Sequence, residues 1–354
     1  MKPEISVIMS VYNGETYLKE AIESVINQTF KNWELICIND CSVDSTSQIL
    51  TEFAAMDERI KVYTNEVNLK LPTSLNKAIS LSSGKYIARM DADDICLPDR
   101  FEKQFKFMEE NEDVALSSCR FMTVKNGVYM SGGAGGRCDN DAIRSMLFVT
   151  NPILHPGVIA KAEVMKHLSY DTTLTCTEDL ELWTRIAMGN LKLAILPECL
   201  LIYRLHDKQI TSTTLERQHT EVTKIQQKYY KAMAAEMDDD MKNFYISGIY
   251  FTENPDINKF LEYAKWLKSS TSGKVDINDI NYALFEVLAE YKRCGVSKAD
   301  VLKVMLKFNP LFLAKEIIRR KRAAKKDIKK CVKVAESLGL KRTAGTKAFP
   351  VFEK

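Results

Sequence analysis

Four short apolar runs alternate with helix-period stretches across the first hundred residues, and this alternation limits the possible folds more than any other feature. Residues 5–11 are almost wholly apolar and are broken by Asn13-Gly14. Residues 15–27 follow, with Leu18, Ala21, Ile22, Val25 and Ile26 spaced on one helical face. A second run, 34–38, ends in 39–46, a stretch rich in turn and helix-capping residues. Ile49, Leu50, Phe53 and Ala54 suit a second helix, 60–63 a third strand, 74–81 a third helix closed by Gly84, and 85–90 a fourth strand that ends at Asp91. Strands and helices at this spacing make right-handed βαβ units and a largely parallel sheet. Ligands of such sheets bind outside the carboxyl ends of the strands. Asn13, Asp40 and Asp91 all fall at those ends.

The rest of the chain is less regular. Residues 132–136 read as a flexible glycine-rich loop, 148–159 and 193–203 as strands, and 179–188 as a helix. Beyond about 215 the pattern is helical to the end, with a linker at 269–273. The expected architecture is an α/β domain with a mainly parallel central sheet over residues 1–215. A helical C-terminal region, 216–354, follows, with a basic amphipathic tail at about 303–333.

Charge is unevenly spread. The 354 residues carry a net charge of only +3, which argues against a nucleic-acid binder. Yet ten basic residues between Lys315 and Lys333 are opposed only by Glu316 and Asp327, giving that segment +8. Leu306, Phe308, Leu311, Phe312, Leu313, Ile317 and Ile318 lie beside it. Apolar groups next to a cationic band suit the interface of an anionic bilayer. The alternative is that the apolar stripe packs on the protein body. The tail has no interleaved aromatic platform for nucleic acid.

No apolar run reaches 18 residues, and the N-terminus enters a strand without a signal-peptide plan. The nine cysteines are scattered without a CxxC pair, and the four histidines are not spaced as a metal pair. The expectation is a cytoplasmic protein with reduced thiols, docking peripherally on the inner face of the membrane if the tail works as described.

The sharpest chemical feature is Arg89-Met90-Asp91-Ala92-Asp93-Asp94. Three carboxylates within four positions repel unless a cation or hydrogen-bond donors offset them. Carboxylate oxygens favour Mg²⁺ or Mn²⁺, and such a metal suits a diphosphate. The competing reading is a solvated acidic turn with Asp94 capping the next helix.

Residues 5–13, then Asn39-Asp40-Cys41-Ser42-Val43-Asp44, then Met90-Asp91-Ala92-Asp93-Asp94, in this order and spacing, resemble the family 2 glycosyltransferases. The stretch Asn68-Leu69-Lys70-Leu71 to Asn76 resembles another block of that family. The resemblance covers roughly residues 3–215. It implies a GT-A nucleotide-sugar-binding fold and an inverting transfer from a nucleotide-diphospho-sugar. Two departures stand out: Lys70 and Cys41 occupy positions where the family usually has Gly.

Under this resemblance Asp40 accepts a hydrogen bond from uracil N3–H, a donor that neutral cytosine lacks, so the expected donor is a UDP-sugar. The alternative is that Asp40 caps the following helix. Tyr12 and Asn13 flank the base and Glu15 reaches the ribose or base edge, although Tyr12 also suits ordinary packing. Asn76, Asp91 and Ala92 complete the nucleotide site, and Asp93 holds the Mn²⁺ or Mg²⁺ that offsets charge on the leaving diphosphate.

Thr177-Glu178-Asp179-Leu180-Glu181-Leu182-Trp183-Thr184-Arg185 resembles the family block that carries the general base, which makes Asp179 the expected base. Read without the family, an Asp there is also a good helix N-cap. Trp183 is read as core, and His155 either touches acceptor or phosphate or is a satisfied structural histidine. Arg204 and His206 either close over the diphosphate as a lid or pack. The expected function is transfer of a hexose or N-acetylhexosamine to a saccharide acceptor, possibly lipid-linked, in bacterial surface-polysaccharide assembly. Two alternatives are a non-catalytic nucleotide-sugar sensor and a sugar nucleotidyltransferase. The latter needs a glycine-rich phosphate loop that residues 11–15 do not form.

Overall fold

The computed structural model describes residues 2–132, 136–189, 191–206, 215–234, 257–271, 275–293, 297, 299, 303, 306, 310–345 and 350–353. Its first part is β1 (Ile5–Val11), α1 (Leu18–Ile26), β2 (Trp33–Asn39), α2 (Thr46–Met56), β3 (Ile60–Thr64), α3 (Leu71–Leu81) and β4 (Tyr86–Arg89). The four strands lie parallel in the order β4-β1-β2-β3. All seven residues of β2 and all four of β4 are buried, as strands covered on both faces should be. Val11 lies opposite Asn39, and Asn39 opposite Thr64, so the strand ends are level. The chain leaves β1 toward β2 and returns on its other side as β4. That reversal of direction opens a crevice at the carboxyl edge.

The sheet then becomes mixed. β5 (Ile95–Cys96) and α4 (Arg100–Glu110) precede β6 (Val114–Lys125), β7 (Val128–Gly132) and α5 (Asn140–Met146). β8 (Ile159–Lys161) runs antiparallel between β4 and β6, and α6 (Ala162–Leu168) and α7 (Glu178–Met188) lead to β9 (Lys192–Arg204), parallel to β6. The strand expected over 148–159 is not formed. Phe148, Val149, Ile153 and Val158 are buried as expected of strand residues, but the segment passes through a 3₁₀ turn at His155–Gly157 and pairs only from Ile159. Pro152 and Pro156 deny it the ladder donors of a central strand.

Among the described residues four helices follow: α8 (Leu215–Met233), α9 (Ile257–Ser270), α10 (Ile277–Arg293) and α11 (Pro310–Ser337). The chain is not helical to its end. β10 (Lys341–Gly345) and β11 (Pro350–Glu353) form a hairpin, and β11 adds to the edge of β7. Nor does packing break at residue 215. One core cluster joins Ile36, Leu75 and Trp183 to Tyr229, Phe260, Tyr263 and Leu284, so α3 and α7 share their buried face with α8, α9 and α10. A second cluster, on the other face of the sheet, joins Val7, Leu18, Ile22, Leu35 and Phe101. The glycine-rich loop expected at 132–136 lies mostly outside the described residues.

Candidate active site

The loops at the ends of β1 and β2 are laced together by side-chain to backbone bonds. Asn13 N–H donates to Ser42 Oγ at 3.0 Å, and Val43 N–H returns a bond to Asn13 Oδ1 at 3.0 Å. Gly14 N–H donates to Thr46 Oγ1 at 2.9 Å and Glu15 N–H to Asp44 Oδ2 at 3.1 Å. Three non-glycine residues here are left-handed: Asn13 (φ 51°), Cys41 (φ 62°) and Lys70 (φ 70°). Left-handed backbone costs a residue with a Cβ about 1–2 kcal/mol. Cys41 and Lys70 are the two departures from glycine, so the geometry supplies the reason for glycine at both.

Tyr12 is 55% exposed at this edge, open to an incoming ring, and packing does not claim it. Glu15 spends Oε2 on Ser45 N–H at 3.0 Å. Asp40 is buried and does not cap α2, whose N-cap is Ser45. Its Oδ1 accepts from Asn65 Nδ2 and Leu69 N–H, both at 2.8 Å, and its Oδ2 from Lys70 N–H at 2.9 Å. An ionised carboxylate has about four acceptor positions, so one remains on Oδ2 for a ligand donor. Asn76 is committed to the backbone on both ends of its amide. Its Nδ2 donates to the Tyr170 carbonyl and its Oδ1 accepts Tyr170 N–H, both at 2.8 Å, so the amide ties α3 to the segment before α7.

The acidic cluster lies just past β4. Ligand oxygens of Asp91, Asp93 and Asp94 fall within 4.8 Å of one another. Asp94 does not cap α4, whose N-cap position is Asp99. Asp94 is fully buried; its Oδ1 accepts Arg204 N–H at 2.8 Å, and its Oδ2 has no partner among the described residues. Burial, and then the Asp91 and Asp93 charges, push the Asp94 carboxyl well above the ordinary range. Burial also raises Asp91, against the pull of the Arg89 guanidinium paired with it. An orphaned buried oxygen beside two more carboxylates fits a hard divalent cation, whose charge and oxygen preference match what the cluster lacks. Ala92 is partly buried in the second core cluster and faces Gly14, which seats the acidic loop against the β1 loop.

Arg204 and His206 close this side. Arg204 Nε donates to the Asp93 carbonyl at 2.8 Å, its Nη2 pairs with Glu20 at 2.5 Å, and its guanidinium lies 4.4 Å from the Tyr17 ring centroid. His206 Nε2 lies 2.9 Å from Asp93 Oδ2, with its ring 5.3 Å from that of Tyr17. Both residues therefore lie directly on the acidic loop. Sequence reasoning missed Tyr17 and Glu20, which lie inside the stretch 15–27 that reads as a helix.

The second acidic pair stands on the first turn of α7. Asp179 is not the N-cap, a position held by Thr177; it occupies the second helical residue. Its Oδ2 accepts Asn151 Nδ2 at 2.8 Å and its Oδ1 accepts Leu180 N–H at 2.7 Å. Burial raises its carboxyl above the ordinary range. Glu178 is 4% exposed and is pushed up to about 7, chiefly by burial and then by Asp179. Arg89, also 4% exposed, acts on both carboxyls as well as on Asp91 and Asp94. It is the cation shared by the two acidic groups, and nothing in its local sequence marked it as such.

Glu181 is paired with Arg185 at 2.7–2.8 Å. Trp183 is fully buried core, as read. His155 is buried, its Nε2 2.8 Å from the Tyr170 hydroxyl, and burial lowers its pKa well below that of a free imidazole. It is a neutral imidazole held through Nε2 by Tyr170.

Residues 6–163 match the sequence family described as Glycosyl transferase family 2. An uncharacterized glycosyltransferase of Methanocaldococcus jannaschii is 37% identical over 220 residues, which cover 61% of this chain and 76% of the relative. The O-antigen biosynthesis glycosyltransferase WbnJ of Escherichia coli is 33% identical over 217 residues, covering 60% and 83%. Among solved structures, S. aureus TarS 1–349 in complex with UDP-GlcNAc superposes with a TM-score of 0.55 at 18% identity, covering 100% of this chain and 99% of that one. Mannosyltransferase PcManGT of Pyrobaculum calidifontis, in complex with GDP-Man and Mn²⁺, gives 0.53 at 15% identity, covering 90% and 84%. Fold neighbours of this kind establish the GT-A fold.

Proposed function

Since the chain belongs to glycosyl transferase family 2, we propose that it is an inverting transferase that moves a hexose or N-acetylhexosamine from a UDP-sugar to a saccharide acceptor in surface-polysaccharide assembly. One observation carries this reading: a donor edge with three clustered carboxylates and a separate buried carboxylate on α7 flank one guanidinium, Arg89. Asp91, Asp93 and Asp94 would hold Mn²⁺ or Mg²⁺, which supplies positive charge against the departing diphosphate. Tyr12 offers its ring to the base, and the remaining acceptor position of Asp40 suits uracil N3–H. TarS, a fold neighbour, was crystallised with UDP-GlcNAc, which agrees with a uridine donor.

The acceptor hydroxyl oxygen attacks the anomeric carbon from the face opposite the diphosphate. Its proton passes to Asp179, and the bond to the diphosphate oxygen breaks with its electron pair leaving on UDP. Asn151 fixes the carboxylate while this happens. Arg204 and His206, seated on the acidic loop, exclude water from it.

The tail adds a place for this chemistry. Among the described residues no helix is long and apolar enough to cross a membrane. α11 carries an open groove of about 490 Å³ lined by Lys315, Ile318, Arg319, Arg322, Ala323 and Lys326. Leu311 and Ile318 are 75% and 51% exposed beside it. Its other side is anchored, with Lys330 bonded to Pro197 and Glu198 and Arg320 to Glu286. The cationic, partly apolar face suits an anionic bilayer that presents a lipid-linked acceptor. Flotation with anionic vesicles should fall at high salt and with Arg322→Glu/Lys326→Glu.

A donor panel with Mn²⁺, scored by UDP release, tests the reading. Turnover of a UDP-sugar supports it. Binding of UDP-sugars with no release from any of them points instead to a nucleotide-sugar sensor.

A further inference from the structure

Two adjacent carboxyls on the first turn of α7 have been given very different surroundings. Asp179 receives two hydrogen bonds, from Asn151 Nδ2 and Leu180 N–H, and both favour its charged form. Glu178 is 4% exposed; its carboxyl has a hydrogen bond from its own backbone N–H, and its Oε2 is buried without a partner among the described residues. The nearest titratable nitrogen among them, His155 Nδ1, stands 4.0 Å from Oε1, beyond hydrogen-bond reach. The titratable groups facing Glu178 are Asp179 on its own helix, Arg89 on β4 and Asp91 just after it, neutral His155 on the 3₁₀ turn, and the Tyr170 hydroxyl bonded to that histidine. Two carboxylates against one guanidinium that already pairs with Asp91 leave a surplus negative charge. Burying an unpaired ionised carboxylate costs far more than burying a neutral one. The proton of the pair therefore belongs on Glu178, the more deeply buried carboxyl and the one with an orphaned oxygen.

We propose that Glu178 is a positioning residue that holds the proton of this pair, so that its ionisation sets the pH above which Asp179 becomes the stronger base. No bond is made or broken by Glu178. Its proton stays in place during transfer, while Asp179 takes the proton of the attacking hydroxyl. When Glu178 ionises, its negative charge raises the proton affinity of Asp179, and general-base rates rise with base strength. Burial and the Asp179 charge push Glu178 to about 7, which agrees with a change in the neutral range. The role of Asp179 rests on the glycosyltransferase reading above; the state of Glu178 does not.

The test uses the full chain and two variants, Glu178→Gln and Glu178→Asp. Gln keeps the shape and is permanently neutral, whereas Asp keeps an ionisable group. The first measurement is the melting temperature across pH. A carboxyl raised from 4.5 to about 7 in the folded state favours folding below pH 4.5, and that contribution is lost as pH rises through 7. Glu178→Gln should therefore gain about 2–5 °C on the wild type between those limits, while Glu178→Asp keeps the wild-type slope. A difference between Gln and wild type that stays flat with pH overturns the proposal, whatever the activity. The second measurement is UDP release from UDP-GlcNAc and UDP-glucose with Mn²⁺, water serving as acceptor. The wild-type rate should rise roughly 3- to 10-fold through pH 7, Glu178→Asp should retain a rise, and Glu178→Gln should be flat. The same step in Glu178→Gln as in the wild type also overturns it. A pH-dependent melting difference in an enzyme that releases no UDP sinks the glycosyltransferase reading and leaves the proton on Glu178.

Discussion

Asp91, Asp93 and Asp94 crowd one strand end, while Glu178 and Asp179 arrive on a helix from a distant part of the chain, and the two groups solve the same electrostatic problem differently. At the strand end three charges are gathered and one buried oxygen is left without a partner. On α7 one carboxyl has both oxygens bonded, while its neighbour keeps one buried oxygen without a partner among the described residues. The first arrangement asks for a cation from outside; the second can be settled by one proton. Acid clusters of similar composition thus serve different chemistry, according to how many donors the fold supplies.

The largest test of this contrast is Asp179→Asn. Removing the base should lower transfer by about 100- to 10,000-fold while UDP affinity changes little. A near wild-type rate would falsify the assignment, with Glu178 the next carboxyl to try. Arg89→Met comes next, since it strips the cation both groups share. Leaving half-buried Asp91 unpaired should cost about 1–3 kcal/mol of stability, read from denaturant unfolding. If the variant is as stable as the wild type, the two groups do not depend on one guanidinium. Asp93→Asn and Asp94→Asn should each weaken Mn²⁺-dependent UDP binding about 10- to 100-fold, by analogy with other groups that support a metal. Calorimetry with EDTA provides the control, and equal UDP affinity with and without metal would remove the cation from the contrast. The smallest effect belongs to Cys41→Gly. Relieving a left-handed Cβ should raise stability by up to about 1 kcal/mol, because glycine's extra unfolded-state freedom offsets part of the gain. A loss of stability would mean that the bond from Cys41 Sγ to the Glu66 carbonyl outweighs the strain.

The donor half was readable because burial on both faces leaves a plain mark, an apolar run that stops at a polar turn. The runs at 5–11, 34–38 and 85–90 all became strands of the parallel sheet. The same mark misled at 148–159, where burial comes from a turn wedged under the sheet and not from pairing. Asn76 was ambiguous in another way. An amide can serve a backbone as readily as a nucleotide, and its bonds to Tyr170 depend on tertiary folding. Arg89 was in plain view and gave no signal, because its importance depends on charges that tertiary folding brings to it from α7. The closing hairpin lay beyond sequence reasoning as well, since its partner, β7, precedes it by most of the chain.

That hairpin has a consequence for how the protein is made. Phe352 pairs with Tyr129 and Val351 with Met130, so β7 acquires its outer neighbour only from residues synthesised more than two hundred positions later. At roughly 5–20 residues per second, a ribosome needs on the order of ten seconds or more to cover that distance. Through that interval the strand presents an unsatisfied edge to every other nascent chain nearby, the kind of surface on which sheets from different molecules join. Dependence on a chaperone should therefore be greatest late in translation.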